Sequence, residues 1–399
     1  MNETLQTALE QFIGNSGQTA RSAVVLENPS AKAVRALRAS GHDCARTFSV
    51  LPSRKAPRWL LPLGNSRATL RGFQIYTPWA PVARMLKAMA CTAIRAGWNG
   101  CGCHRLLVAS RERLPLERLV AEVTGERAPA FALSLGTPWR YRKLTVQAMR
   151  PSGTILGYIK LPLSEAAIGR LRHEATVLDR LSKWPELRPH IPRVLHAGPW
   201  GNGYLLFQSP VVGEPGPCTF SEVHEAFLEK LWGAEHLEKP GRTLVEEVAA
   251  RWSEAAPQLS SRWEEMGERV LQRARRELES RTIPCGISHG DFAPWNTRLA
   301  DGQLSLFDWE SATWGTPKLF DIFSFHVRVG SLLRKPGAST RLQAMRSEEK
   351  ACFLLYVLNV VSQSLDEGGQ DEEEKGAEAR RFSLGLEYFH RLLSEELSR

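Results

Sequence analysis

The chain has 399 residues, more than one hydrophobic core comfortably organises, so two or more compact units are expected. Its apolar fraction of 43% and charged fraction of 24% are those of a globular protein and exclude a disordered or fibrous one. The net charge of +9 is concentrated, because residues 44–111 hold eleven Lys and Arg and no Asp or Glu; an anionic partner, if there is one, is expected to meet the chain there.

Three zones follow in chain order. In the first, residues 1–126, the stretch Met1–Ser16 is polar and carries Glu3 and Glu10, so no secretory leader is expected. Seven scattered cysteines point the same way, to reduced thiols and a cytoplasmic setting. Short apolar runs (Ala23–Leu26, Trp59–Leu63, Leu106–Ala109) alternate here with helical patterns and with Pro and Gly breaks. Pro81–Trp98 reads as a helix whose stripe of Val82, Met85, Leu86, Met89, Ala93 and Ile94 packs on neighbours while Arg84, Lys87, Cys91 and Arg95 share another flank. The competing role for this basic region, 44–111, is peripheral contact with an anionic membrane or an anionic substrate. No nucleic-acid motif accompanies the charge, so no nucleic-acid partner is expected.

In the second zone, residues 127–209, Phe131–Ser134, Leu144–Met149 and Ile155–Leu161 read as strands, the last two joined at Pro151-Ser152-Gly153. Ser164–Ser182 is helical, with Ile168, Leu171, Ala175, Leu178 and Leu181 at spacings of three and four. Ile191–Leu195 and Tyr204–Gln208 follow as strands. The third zone, residues 210–399, is helical at Ser221–Leu231, Thr243–Trp252, Ser261–Ser280, Ser347–Leu365 and Ala377–Leu397, with a β-rich interruption at Gly286–Trp309. Asp366–Glu374 reads as a solvated acidic loop.

The chemistry sits in that interruption. The segment Ile287–Leu299 reads ISHGDFAPWNTRL, and FDWE follows at Phe307–Glu310. Phosphoryl transfer to a hydroxyl needs a carboxylate to orient the hydroxyl and accept its proton, hard oxygen ligands for Mg²⁺, and cations on the nucleotide phosphates. Asp291 can be that carboxylate; Asn296 and Asp308 offer amide and carboxylate oxygens to the metal. A hairpin with Asp301-Gly302 at its tip would return Asp308 to the loop that carries Asp291 and Asn296. Singly, each of the three is an ordinary turn residue.

Together they resemble the aminoglycoside phosphotransferase and choline kinase family, through HGDFAPWN, FDWE and the G-x-P-x-x-D-I segment Gly315–Ile322. The resemblance covers roughly the last two thirds of the chain. It implies an α+β, bilobal protein-kinase-like fold with a small β-rich N-lobe and a helical C-lobe, to which residues 1–126 add a basic N-terminal region of unknown role. It implies ATP and Mg²⁺ as cofactors and a small-molecule hydroxyl as acceptor, of the kind found on an amino-sugar, an amino alcohol or a glycan-pathway sugar. Asp291 and His289 are then catalytic, Asn296 and Asp308 hold metal, and Asp321 serves structure. Upstream, the family expects a strand lysine held by a helix glutamate, which Lys160 and Glu174 match. The phosphate-covering loop after Ser134 has one glycine instead of a G-x-G-x-x-G, which leaves Gly136 and Thr137 as its candidates. Phe207–Pro210 corresponds to the hinge over the adenine.

Protein kinases have Arg where Gly290 stands and Gly where Glu310 stands, so a small-molecule kinase is favoured over a protein kinase. A non-catalytic nucleotide-binding module is the other alternative, disfavoured because Lys160, Glu174, Asp291, Asn296 and Asp308 are all present. Cys101-Gly102-Cys103-His104 lacks the second cysteine pair of a zinc site. His326 and His390 read as packed histidines.

Overall fold

The computed structural model describes residues 2–14, 23–78, 81–97, 104–333, 345–367 and 375–398. The protein is α+β, with a β-rich N-terminal part and a helical C-terminal part. It forms two compact units, residues 1–179 with 192–210, and residues 180–191 with 211–399.

The N-terminal unit is built on one antiparallel sheet of nine strands: β1 (Ala23–Glu27), β2 (Cys44–Pro52), β3 (Pro57–Pro62), β4 (His104–Ser110), β5 (Ala130–Ser134), β6 (Lys143–Met149), β7 (Ile155–Pro162), β8 (Val194–Trp200) and β9 (Gly203–Gln208). Their order is β1-β4-β2-β3-β5-β6-β7-β9-β8. Trp59 and Leu60 pair with Ser134 and Leu133, so the strands of the basic region and those of residues 127–209 form a single sheet.

Period-two alternation sends Leu144, Val146 and Ala148 to one face and Thr145, Gln147 and Met149 to the other. The first face is closed by α1 (Glu3–Ile13) and α5 (Pro115–Thr124). In α1, Leu5, Leu9 and Phe12 recur at helical spacing, and the Asn2 side chain caps the first turn by accepting the Leu5 N–H. Phe12 is fully buried, edge-on to Phe48 at 5.9 Å and to Phe131 at 5.4 Å. Truncating such a side chain costs about 3–5 kcal/mol.

The other elements of this unit are α2 (Ala31–Ala39), α3 (Ser66–Gly72), α4 (Pro81–Arg95) and α6 (Glu165–Leu181). Helix α3 lies against the second face, where the Arg71 carbonyl accepts the Gln147 side-chain amide at 2.8 Å. The expected packing of α4 through its apolar stripe holds only at the C-terminal end, where Ile94 is buried and Ala93 half-buried. Val82, Met85, Leu86 and Met89 are each more than half exposed, and it is Ala83, Lys87, Ala90 and Ile94 that face inward. Lys87 decides this rotation, because its ammonium donates to the Phe73 and Tyr76 carbonyls at 2.8 and 2.6 Å.

The strand expected over Ile191–Leu195 lies instead at Val194–Trp200. Arg188–His190 is a 3₁₀ turn and Pro192 has no N–H to give a ladder. Of the Cys101–His104 loop only His104 falls within the described residues, and it bonds Asn28.

The C-terminal unit contains α7 (Glu222–Ala234), α8 (Gly241–Ala255), α9 (Ser261–Leu278), α10 (Leu319–Leu333), α11 (Ser347–Glu367) and α12 (Lys375–Leu397). Two three-stranded sheets accompany them. One joins β10 (Glu214–Pro215), β13 (Thr297–Ala300) and β14 (Gln303–Leu306); the other joins β11 (Leu237–Pro240), β12 (Thr282–Ser288) and β15 (Thr313–Pro317). Val248, Trp252, Val270, Leu271, Phe323, Phe353 and Leu354 centre the core. Of the acidic run expected as a loop, residues 368–374 lie outside the described residues. His326 and His390 are packed against rings, His326 on Phe220 and His390 on Trp263.

His224 ties the start of α7 to the loop after β12. Its Nδ1 accepts the Ser221 N–H at 3.1 Å, and its ring meets Phe220, Phe325 and Phe292. Burial pushes its pKa down from 6.5 to about 4. An unfolded histidine charges near pH 6.5. The stability His224 contributes is therefore complete above that pH and is lost as the pH falls toward 4. Urea unfolding followed by tryptophan fluorescence should show a loss of up to about 3 kcal/mol across that window, and His224→Gln should flatten it.

Candidate active site

The loop after β12 is fixed from below by one buried carboxylate. Asp321, in the first turn of α10, accepts the Ser288 hydroxyl at 2.9 Å, the His289 N–H at 2.8 Å and the Gly290 N–H at 3.1 Å. Burial pushes this carboxyl above the usual carboxylate range, and the neighbouring His289 and the three hydrogen bonds oppose that shift. Gly290 has φ +76°, and a Cβ there would lie 2.2 Å from the Ser311 carbonyl oxygen. Only glycine fits this turn. That is the physical reason the motif has Gly at this position.

His289 is fully buried and both its ring nitrogens are engaged. Nδ1 accepts the Asp291 N–H at 3.2 Å, Nε2 donates to the Phe307 carbonyl at 3.1 Å, and the ring stands edge-on to the buried Trp309 at 4.6 Å. The expectation of a catalytic His289 is corrected on this ground: the ring has no nitrogen left for a substrate. It braces Asp291 against the end of β14.

Asn296 is almost wholly buried, and its Nδ2 donates to Asp291 twice, to the main-chain oxygen at 2.9 Å and to Oδ2 at 2.8 Å. This commits the amide nitrogen and leaves the amide oxygen as the donor atom for a cation. The hairpin of β13 and β14 turns at Asp301-Gly302, both with positive φ, and pairs Thr297 with Leu306. Beyond that pair the Phe307 N–H reaches the Asn296 carbonyl at 3.1 Å. Asp308 is the next residue, held in the left-handed region at φ 72°, a conformation that costs a non-glycine residue about 1–2 kcal/mol. The Asn296 amide oxygen and the Asp308 carboxylate are both hard donors of the kind Mg²⁺ takes.

Sequence reasoning missed Arg328. Its Nε lies 2.7 Å from Asp291 Oδ1, so both carboxylate oxygens of Asp291 have partners. Tyr356 lies in this electrostatic neighbourhood, its hydroxyl pushed up to about 12 by burial. The signal was present in the spacing: Asp321, Ser324, Phe325 and Arg328 share one face of α10. That helix was not foreseen because Phe320, Phe323, Phe325, Val327 and Val329 look like strand residues; they are helical and buried.

In the N-terminal unit, Lys160 on β7 and Glu174 on α6 form a bidentate pair at 2.5 and 2.7 Å, with both side chains buried. Each removes the cost of burying the other, and losing one partner is worth about 3–5 kcal/mol. Gly136 sits at φ +66° where β5 turns toward β6, its carbonyl accepting from Arg58 at 3.2 Å, and Thr137 beside it is exposed. One step along the sheet from Lys160, Gln147, Tyr158 and Gln208 form a row across β6, β7 and β9. Gln147 and Gln208 are buried, and the side-chain oxygen of each lacks a partner. Neither glutamine was singled out in the sequence, where each is one polar residue inside a strand.

Residues 224–344, which include α7, the loop after β12 and most of α10, match the phosphotransferase enzyme family. Over this segment the chain is similar to that family. No curated protein matches the chain. Among solved structures, a thermostable mutant of aminoglycoside phosphotransferase APH(4)-Ia in ternary complex with ADP and hygromycin B is 13% identical, covering 70% of this chain and 98% of its own at TM-score 0.47. The GDP and kanamycin complex of APH(2")-IIia is 15% identical, covering 72% and 99% at TM-score 0.42. The streptomycin-ATP-APH(2")-IIa ternary complex is 16% identical, covering 69% and 97% at TM-score 0.43.

In the matched segment, Asp321→Asn replaces one acceptor oxygen by a donor facing main-chain N–H groups. It should cost about 3 kcal/mol, read as a melting temperature lower by roughly 6–12 °C. Ser288→Ala, which removes one neutral hydrogen bond, should cost about 1 kcal/mol.

Proposed function

We propose that the protein is an ATP- and Mg²⁺-dependent phosphotransferase that moves the γ-phosphoryl group to a hydroxyl of a small molecule. One observation carries this reading. In the family-matched segment the Asn296 amide donates twice to Asp291, and the β13–β14 hairpin returns the chain at Asp308 alongside Asn296. In this reading Asp291 orients the acceptor hydroxyl and takes its proton, which requires Arg328 to yield Oδ1 to the acceptor. The Asn296 amide oxygen and the Asp308 carboxylate hold Mg²⁺, which when bound neutralises charge on the transferring group. Asp321 and His289 position the loop. Lys160, aimed by Glu174, meets the nucleotide phosphates; Gly136 and Thr137 cover them, and the backbone of residues 207–210 receives the base. The unpartnered oxygens of Gln147 and Gln208 are acceptors that a nucleobase amino group would satisfy.

The acceptor class is a hydroxyl compound such as an amino-sugar, an amino alcohol or a sugar of a glycan pathway. The five described cysteines are free thiols, which suits a cytoplasmic setting.

The test is Mg²⁺-dependent ATP consumption against a panel of those acceptors. At least one should stimulate turnover, and Asp291→Asn should reduce it by roughly 100- to 10,000-fold. Asp308→Ala should remove the Mg²⁺-dependent rise in melting temperature that ATP produces. A wild-type chain showing no such rise would sink the proposal; a rise without any acceptor turnover, unchanged by Asp291→Asn, would make the protein a nucleotide-binding module.

A further inference from the structure

Seven large apolar side chains are markedly exposed among the described residues. Three of them, Trp139, Val212 and Leu237, stand singly, as surface residues normally do. The other four lie on α4: Val82 at 64%, Met85 at 57%, Leu86 at 57% and Met89 at 61%. Their spacing of i, i+3, i+4 and i+7 makes one stripe along two turns. Among the described residues, the less exposed side of α4 carries Ala83, Lys87, Ala90, Cys91, Ala93 and Ile94, and Lys87 fastens it to the Phe73 and Tyr76 carbonyls. The stripe therefore points away from the sheet by construction.

Its surroundings carry one sign of charge. Arg84 and Arg95 on α4, and Arg67 and Arg71 on the neighbouring α3, are all exposed, and none of the four has a carboxylate partner among the described residues. Elsewhere in the basic region Arg46 pairs with Glu117 and Arg54 with Glu27, acids that lie outside residues 44–111. An acid-free segment leaves the arginines around α4 no internal anion.

We propose that α4 is a membrane-docking helix, its apolar stripe entering the interface of an anionic lipid bilayer while the arginines of α3 and α4 meet lipid phosphates. The combination of a protruding apolar stripe and flanking unpaired cations is what the headgroup boundary accommodates. At 15 residues α4 spans about 22 Å, too short for a hydrocarbon core of about 30 Å, so it would lie in the interface. A second copy of the chain is a poorer occupant, since it would set these arginines against their own duplicates.

The experiment is co-sedimentation of the full chain with vesicles of phosphatidylcholine alone or of equimolar phosphatidylcholine and phosphatidylglycerol. The chain should pellet with the mixed vesicles, remain in solution with phosphatidylcholine, and be released as salt is raised. Arg84→Gln and Arg95→Gln should each weaken binding about fivefold. The double variant Met85→Glu/Leu86→Glu should abolish it while keeping the wild-type melting temperature, because both side chains are exposed. No pelleting with anionic vesicles, or pelleting that survives the double variant, overturns the proposal. So does a wild-type dimer in gel filtration that the double variant converts to monomer with no vesicle binding in either form, which would make the stripe a self-interface.

Discussion

The candidate site depends on the Asp321 carboxylate. Three donors from consecutive residues, the Ser288 hydroxyl and the His289 and Gly290 main-chain amides, converge on its two oxygens. Buried polar groups of a tight turn need partners, because burial denies them water. One charged acceptor serves the His289 and Gly290 amides and the Ser288 hydroxyl together, while the Asp291 amide turns to His289 Nδ1. The rest is stacked above this contact. With the backbone held, Gly290 can take the left-handed turn against Ser311, and His289 can stand between Asp291 and Phe307. Asn296 then closes the loop onto Asp291 from the other side. Asp291 and Asn296 sit at the top of a scaffold whose foundation is the buried Asp321 carboxylate.

Strength in this scaffold comes from engagement, and engagement limits chemistry. His289 stands in a motif position that invites a proton-transfer role, yet both its nitrogens are committed. Asp291 has a partner on each oxygen, Asn296 on Oδ2 and Arg328 on Oδ1. Of these two, Arg328 is the partly exposed one and carries the flexible side chain, so it is the partner that can leave. A carboxylate held this way is oriented before a ligand arrives. The geometry of the resting site thus indicates which of its contacts is exchangeable.

Local chemistry was legible in the sequence where the reading rested on spacing. The hairpin tip at Asp301-Gly302 and the Ser164–Ser182 helix follow from turn residues and periodicity, whereas the pairing of Lys160 with Glu174 was implied by the family resemblance. Helix α10 was not legible, because a helix buried on nearly every side loses the polar face that marks its period. Arg328 was lost with it. The rotation of α4 was unreadable for a different reason: two faces of that helix are apolar enough to pack, and the choice is made by Lys87 reaching carbonyls 14 and 11 residues earlier. The row of Gln147, Tyr158 and Gln208 comes from strand register, which the composition of a single strand does not reveal.

The pairing of β3 with β5 carries a consequence for the history and handling of the chain. Trp59 and Leu60 occupy the hydrogen-bonding edge of β5, and the core beneath is filled by Phe12, Phe48, Leu106 and Val120 from the first 126 residues. Cutting the chain before residue 127 would uncover a naked strand edge beside a stripped apolar face, which is the geometry of a self-templating aggregate. Trimming the chain to residues 127–399 would leave this sheet and its core incomplete. The basic segment and the sheet that bears Lys160 have to fold, and be inherited, as one piece.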